Sequence, residues 1–391
     1  MAIVVRMYRV GFGECFLLSF PTGDGVEHVL IDCGVHPDGD EGTIATVVQD
    51  IADRSGGELA LVVATHAHQD HVSGFATHAD LFRTIRVREV WLPWTESPAV
   101  GAAVAVRQGQ QALASQLTEH LAVRPAAQDG PSLAAALANL ANVEEAMHLL
   151  RSGLNGGTVR YVAAGQQHAG AGGIAALSAR VLWPPRDDRF LAHLELSPDE
   201  RLLRAGADGA VVPINGLEPC DRRWEVPQQS SPYYRALDDR DRNLLAMAAV
   251  GIGRLGFSLD RCVNDTSIVV RFSYHGQQLL FGGDAHVDDW ARHLGPEEVR
   301  DLLAGVALFK VPHHGSRTAT SQAILDLLPA RQFVALVSTH GKPWDSLPCP
   351  DLLAGLGAAA RAVVRSDAQP VDSGSGDIVA GPFWIDTTLP I

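Results

Sequence analysis

The sequence predicts an α/β fold, and three observations carry the prediction. Short apolar runs separated by turn clusters fill the first 70 residues and return after residue 265. Ala-rich segments with Leu and Val at helical spacing lie between them. No fixed-period repeat occurs, and no compositional break clearly separates two domains. The length of 391 residues equals two to three average domains, yet one α/β sandwich with insertions can use it all. A hydrophobic content of 46% with 19% charged residues supplies a sizeable core and excludes wholesale disorder. The expectation is a single domain over residues 1–391, with a helical insertion at 95–155 and a long surface excursion or lid at 184–245.

Each element follows from local pattern. Ile3 to Val10 alternates loosely, and Gly11-Phe12-Gly13 is a turn. Cys15 to Phe20 and His28 to Ile31 are strands split by Pro21-Thr22-Gly23-Asp24-Gly25, and Asp32-Cys33-Gly34 ends the third strand. Thr43 to Ala52 reads as a helix, and Leu61 to Ala64 as a buried strand. Val100–Leu121 and Ser132–Leu150 read as helices, with Ser132 as N-cap and Gly153 as terminator. Thr158–Ala163 and Ala179–Trp183 return to strand character. Asp238–Val250 predicts a helix closing the excursion. Ser267–Phe272 and Gln278–Phe281 form a hairpin through Tyr274-His275-Gly276. Pro296–Leu303 and Ser321–Leu328 are helices, and Val306–Val311 and Phe333–Val337 are strands.

The net charge of −14 opposes long-range attraction to nucleic acid or anionic membrane, although a basic groove overrides it locally. Five widely spaced cysteines, Cys15, Cys33, Cys220, Cys262 and Cys349, contain no CxxC pair. They argue against a disulfide framework and for a reduced, cytoplasmic chain. No secretory signal and no apolar run long enough for a membrane span is read. The seven tryptophans are scattered and form no readable base-stacking platform. His120 and His148 read as ordinary helix residues, whereas His78, Tyr233 and Tyr234 are candidates to line a cleft.

The sharpest signal is Thr65-His66-Ala67-His68-Gln69-Asp70-His71, which follows an apolar strand. Four potential metal ligands lie within six residues. HxH spacing puts two imidazoles on one side of an extended segment. A turn then lets Asp70 and His71 face a second ion. Imidazole with carboxylate suits Zn²⁺, Fe²⁺ or Mn²⁺ rather than Ca²⁺.

HxHxDH after a strand resembles the metallo-β-lactamase superfamily. The resemblance covers most of the chain and implies a four-layer αββα sandwich with one or two metals at the edge of its two sheets. Asp32-Cys33-Gly34 resembles the superfamily's first motif, whose Asp supports the metal loop from behind. Phe281-Gly282-Gly283-Asp284 resembles the later strand whose terminal Asp bridges the metals. A closer resemblance is to the hydrolase domain of competence-type DNA-uptake proteins and the related phosphorylcholine esterases. Its segments are Gly11-Phe12-Gly13-Glu14-Cys15-Phe16-Leu17-Leu18, Val181-Leu182-Trp183-Pro184-Pro185, Asn264-Asp265-Thr266-Ser267-Ile268-Val269 and, most specifically, Lys310-Val311-Pro312-His313-His314-Gly315-Ser316.

Carried over residue by residue, the resemblance implies His66 and His68 on a first metal, Asp70 and His71 on a second, and Asp284 bridging them. Where the superfamily adds a third His to the first metal, this chain has Asn264. An amide oxygen is a weaker, harder ligand, so this site favours Mn²⁺ relative to a three-imidazole one, unless Asn264 contacts substrate or only shapes a turn. The last ligand is His313 or His314, the other serving as proton donor or phosphate contact. His340 is also well placed. The family often has a Gly-His-Pro where this chain reads Ser346-Leu347-Pro348, so either His340 substitutes for that His or the residues around the metal ligands differ there.

The expected cofactors are two divalent ions, Zn²⁺ or Mn²⁺. Two such ions about 3.5–4 Å apart lower the pKa of a bridging water, and the hydroxide attacks in line. His314 or His340 then protonates the leaving group. Ser316 and Lys310, with Arg317 and Lys342 nearby, are expected to hold a phosphate. The expected reaction is phosphodiester hydrolysis of the nuclease type, on a small phosphate ester, nucleotide or short nucleic acid. The alternatives are a lactonase, thioesterase or β-lactam hydrolase, which the Asn at the third-His register disfavours, or a non-catalytic metal-binding scaffold, which the complete HxHxDH disfavours.

Overall fold

A computed structural model describes residues 1–123, 130–194, 203–205, 211–213, 257–318, 320–370 and 376–391. The chain divides into two compact units: Met1–Gly101 with Asn142–Asp187 and Val263–Ile391, and Ala102–Ala141 with Asp188–Cys262.

The first unit is built on two sheets. The first strands are β1 (Ala2–Tyr8), β2 (Cys15–Thr22), β3 (Gly25–Cys33), β4 (Glu58–Val63), β5 (Arg86–Pro93) and β6 (Thr158–Val162). Next come β7 (Gln167–Ala169) and β8 (Leu177–Trp183), and the second unit holds β9 (Leu203–Ala205) and β10 (Val211–Pro213). The chain then forms β11 (Val269–Tyr274), β12 (Gln277–Phe281), β13 (Val306–Lys310), β14 (Val334–Val337), β15 (Ala362–Arg365), β16 (Ile378–Ala380) and β17 (Trp384–Pro390). The first sheet has the order β16-β17-β1-β2-β3-β4-β5-β6, and the second β15-β14-β13-β12-β11-β8-β7. Each passes from antiparallel to parallel pairing along its width, parallel across β3-β4-β5-β6 and across β12-β13-β14-β15.

The sheets face each other across one core. Val5, Phe16, Ile31 and Val63 of the first sheet pack with Val181, Phe272, Phe281 and Leu336 of the second. A second core lies on the outer face of the first sheet, under helices α1 (Ile44–Arg54) and α2 (Gln69–Thr77). In α1, Ile44, Val47, Val48 and Ile51 are buried, the spacing of one helical face. The helices Val287–Leu294, Pro296–Leu303, Gln322–Leu325 and Pro350–Ala359 belong to the half of the chain that forms the second sheet. Strands sandwiched between a core and a helical layer are apolar on both faces, which is why β4 reads Glu-Leu-Ala-Leu-Val-Val and β14 Val-Ala-Leu-Val. The architecture is the four-layer αββα sandwich that the sequence predicts.

Several local expectations are corrected. The helix expected over Ser132–Leu150 is two helices, Gly130–Leu140 and Glu144–Arg151, and Asn142 between them has φ +57°. Ser132 therefore lies inside a helix rather than capping one. Asp188–Leu194 is helical where irregular structure was expected. Ser321–Leu328 shortens to Gln322–Leu325. Strand β17 pairs along its whole length with β1, the two ends of the chain meeting in one sheet. The second unit holds the helices Gly101–Val123, Gly130–Leu140 and Asp188–Leu194 and the β9–β10 pair. Helix Glu144–Arg151 belongs to the first unit, where Ala146, Met147 and Leu150 join the second core. The expected Asp238–Val250 helix, Tyr233, Tyr234 and Cys220 lie outside the described residues.

Candidate metal centre

The candidate ligands come from loops at the C-terminal ends of parallel strands, the usual place for a site in an α/β sheet. Thr65 to His71 follows β4, Asp284 follows β12, His313 and His314 follow β13, and Ser338 follows β14. Two glycines permit the close approach of these loops. A Cβ on Gly34 would stand 2.4 Å from the Gln69 carbonyl oxygen and 2.5 Å from the His71 nitrogen. Gly283, at φ +51°, would bring a Cβ to 2.9 Å from the Cβ atoms of both Thr65 and Ser267.

Glu14, His71, Asp284 and His314 converge, one ligand atom from each lying within 4.8 Å of all the others, and all four are buried. His314 Nε2 is 2.9 Å from Asp70 Oδ2 and 3.3 Å from Asp284 Oδ2. His71 Nε2 is 3.4 Å from Asp284 Oδ2 and 3.8 Å from Asp70 Oδ1. Beside them, His66 Nε2 lies 3.0 Å from His68 Nδ1, and both side chains are buried. The structure thus brings His66, His68, Asp70, His71, Asp284 and His314 into one cluster.

Outer partners fix the imidazoles. Asp32 Oδ1 accepts the Thr65 backbone N–H at 2.7 Å, and Oδ2 accepts the Thr65 hydroxyl at 2.7 Å and meets His71 Nδ1 at 2.8 Å. The carboxylate only accepts, so His71 Nδ1 carries the proton and Nε2 points into the cluster. His314 donates from Nδ1 to the Ser338 carbonyl at 3.0 Å, which likewise turns its Nε2 inward. Ser338 Oγ donates to the Gly13 carbonyl at 2.6 Å, tying this loop to the one that carries Glu14. Ser267 Oγ accepts the Asp284 N–H at 3.0 Å.

The electrostatics describe carboxylates in search of cations. Burial works against charge on His71 and His314, yet the surrounding carboxylates overcome it. Asp284, Asp70, Asp32 and Glu14 raise His71 well above its ordinary value, and Asp284 and Asp70 raise His314 to about 10. Burial would raise Asp70 and Asp284, but the same imidazoles hold both below the usual carboxylate range. Burial pushes Glu14 up to about 7, with Lys310 opposing. His66 and His68 are depressed by burial and stay neutral at pH 7, His68 with a value of about 4. Several buried carboxylates beside inward-facing imidazole nitrogens form a donor set that suits a divalent transition-metal ion, which would replace the shared protons. The residues fit the group.

Other expected residues are placed differently. Asn264 is buried at the end of the helical stretch 257–264, its backbone carbonyl accepting the Ser267 N–H at 3.0 Å. Lys310 corrects the expectation of a phosphate contact. Its fully buried ammonium donates to the Gly283 carbonyl at 2.8 Å, pairs with Glu14 and stands 3.6 Å from Asp284 Oδ1. It offsets carboxylate charge within the protein. Ser316 has an extended backbone, and its Oγ lies 3.3 Å from Thr318 Oγ1. Arg317 pairs with Asp351 at 3.2 Å on the surface. His340 Nε2 pairs with Glu41 at 3.0 Å, outside the four-residue convergence. His78 stands between α2 and the next helix, and His148 is exposed. Glu14 and Ser338 were not anticipated. Glu14 sits in the quoted Gly11-to-Leu18 motif, so the sequence held its signal, whereas Ser338 acts through its carbonyl and carries none.

No protein-family model matches the sequence, and no curated protein does. Solved structures do. The metallo-β-lactamase fold protein YhfI from Bacillus subtilis is 7% identical, with 95% of this chain and 98% of that chain covered and a TM-score of 0.39. Zn²⁺-bound PqqB from Methylobacterium extorquens is 11% identical over 95% and 100%, at a TM-score of 0.37. A diphosphatase of the PhnP family is 10% identical over 95% and 98%, also at 0.37.

Proposed function

We propose that this protein is a metal-dependent hydrolase that cleaves phosphodiesters in small phosphate esters, nucleotides or short nucleic acids. The observation that carries the metal reading is the buried convergence of Glu14, His71, Asp284 and His314, with His66, His68 and Asp70 beside it. His66 and His68 would hold one divalent ion, Zn²⁺ or Mn²⁺. Asp70, His71 and His314 would hold a second, with Asp284 between them. Such ions supply Lewis acidity, polarising a phosphoryl oxygen and offsetting charge that builds in the transition state.

The chain's own residues do the rest. Asp32 and the Ser338 carbonyl hold His71 and His314 in the tautomer that presents Nε2. Lys310 keeps Glu14 and Asp284 from carrying unbalanced buried charge. With His314 committed to the cluster, we assign protonation of the leaving group to His340, which pairs with Glu41. The phosphodiester reading rests on the competence-type sequence resemblance, above all Lys310-Val311-Pro312-His313-His314-Gly315-Ser316.

The test uses protein purified without chelator. Bound metals are measured by elemental analysis. Bis-p-nitrophenyl phosphate is then assayed beside a chromogenic lactam and a thioester, with Zn²⁺ or Mn²⁺ added. About two ions per chain and chelator-sensitive phosphodiesterase activity are expected. Metal with turnover of the lactam or thioester alone overturns the substrate class. Metal without any turnover leaves a binding scaffold, and absence of metal overturns the whole reading.

A further inference from the structure

Resting on the two-metal reading, we propose that His313 is the third imidazole donor of the ion held by His66 and His68, replacing Asn264, with His286 positioning it. Three observations converge on this assignment.

The first is the backbone. His313 and His314 both lie in the left-handed region, at φ +48° and +51°. Side chains other than glycine, Asn and Asp rarely adopt it, and it costs on the order of 1–2 kcal/mol per residue. Two such residues in succession are held against that cost by the His313 N–H, which meets the Gly283 carbonyl and Asp284 Oδ1, each at 3.2 Å. The consequence is divergence. The two rings sit 6.4 Å apart with their planes 66° from parallel.

The second is that His314 is already committed. Its Nδ1 donates to Ser338, and its Nε2 faces Asp70 and Asp284 beside His71. One pair of adjacent histidines therefore serves two places, and His313 is not part of the Glu14–His71–Asp284–His314 convergence. Its own backbone N–H meets Asp284 Oδ1 at 3.2 Å, so it borders the cluster from the Asp284 side.

The third is the state of the His313 ring. Its Nδ1 is buried and has no hydrogen-bond partner among the described residues. A buried imidazole nitrogen left in that condition is costly unless a ligand uses it. The His286 ring packs 5.6 Å from His313, and His286 Nδ1 lies 3.3 Å from Asp265 Oδ1. Asp265 thus stands beside His286, whose ring lies tilted against that of His313. Asn264, one residue earlier, accepts the Ser267 N–H through its backbone carbonyl, and Ser267 Oγ accepts the Asp284 N–H.

The experiment titrates the full chain, stripped of metal by chelator and dialysed, with Co²⁺. Visible absorption and elemental analysis give the stoichiometry. The wild type is expected to take up two ions. His313→Asn keeps a side chain that tolerates positive φ and is expected to weaken one of the two ions about tenfold or more. Asn264→Ala is expected to keep both within about threefold, and His286→Gln to weaken one by a smaller factor. His66→Ala combined with His313→Asn is expected to retain one ion, because both losses fall on the same one. If His313→Asn does not fold by circular dichroism, His313→Gly accepts the same φ and replaces it. Unchanged affinity in the His313 variant, or loss of an ion in Asn264→Ala, overturns the assignment while leaving two metals in the wild type. Loss of both ions in the double variant places His313 on the other ion and also overturns it. A wild type that binds no Co²⁺ overturns the two-metal reading, and the assignment with it.

Discussion

Replacing Asp32 by Asn tests whether one buried carboxylate sets the tautomer of the metal loop. Asp32 Oδ2 serves both the Thr65 hydroxyl and His71 Nδ1, and Oδ1 serves the Thr65 N–H. Asparagine keeps the shape and tolerates the observed φ of +55°. It cannot keep the hydrogen bonds. With its NH₂ toward His71, donor meets donor, and the imidazole proton must move to Nε2, which removes the ligand lone pair. With its NH₂ toward Thr65, the buried backbone N–H is left facing another donor. Either orientation costs about 1–3 kcal/mol. That corresponds to a fall of melting temperature of roughly 4–8 °C for about 2 kcal/mol in a unit of this size. Loss of such an outer partner weakens metal binding about 10- to 100-fold. Zinc affinity is measured by competition with a chromophoric chelator, and stability by thermal melting in excess EDTA. Affinity within threefold of wild type in a chain that melts at a lower temperature would refute the tautomer argument, since the hydrogen bonds would then matter for folding alone.

Two further outcomes follow from packing and charge. Gly34→Ala pushes a Cβ against backbone at Gln69 and His71, which cannot swing aside, so it should cost about 1–3 kcal/mol and lower metal uptake; wild-type melting and stoichiometry would show that the loops have more room than the geometry allows. His28 is depressed to about 4, chiefly by burial and secondarily by Arg54, so it stays neutral in the fold while the unfolded chain protonates near 6.5. Its contribution is present above pH 6.5 and is lost as pH falls toward 4, to a limit of about 3 kcal/mol. Urea unfolding of wild type and His28→Leu between pH 7 and 4 should show the shallower slope in the variant, and equal slopes would remove His28 as a source.

What the sequence by itself determined was local. The apolar runs of β4, β13 and β14 were legible because strands buried on both faces are apolar throughout. The Thr65-to-His71 cluster was legible as a group because its residues follow one another within a single turn, and Asp32 and Asp284 as candidates because each closes a recognisable strand. What only the tertiary structure decided was long-range. Glu14 meets Lys310, and His314 meets Asp70, only because β2 begins where β4, β12 and β13 end, at one edge of the sandwich. That proximity converts Lys310 from an expected phosphate contact into a buried counter-charge. It also gives the adjacent pair His313 and His314 different surroundings, which no spacing could separate. Backbone torsions near +50° send the two rings in different directions, and torsions of that kind are imposed by the packing of Gly283, Asp284 and Ser338 around them rather than by the residues' own preferences.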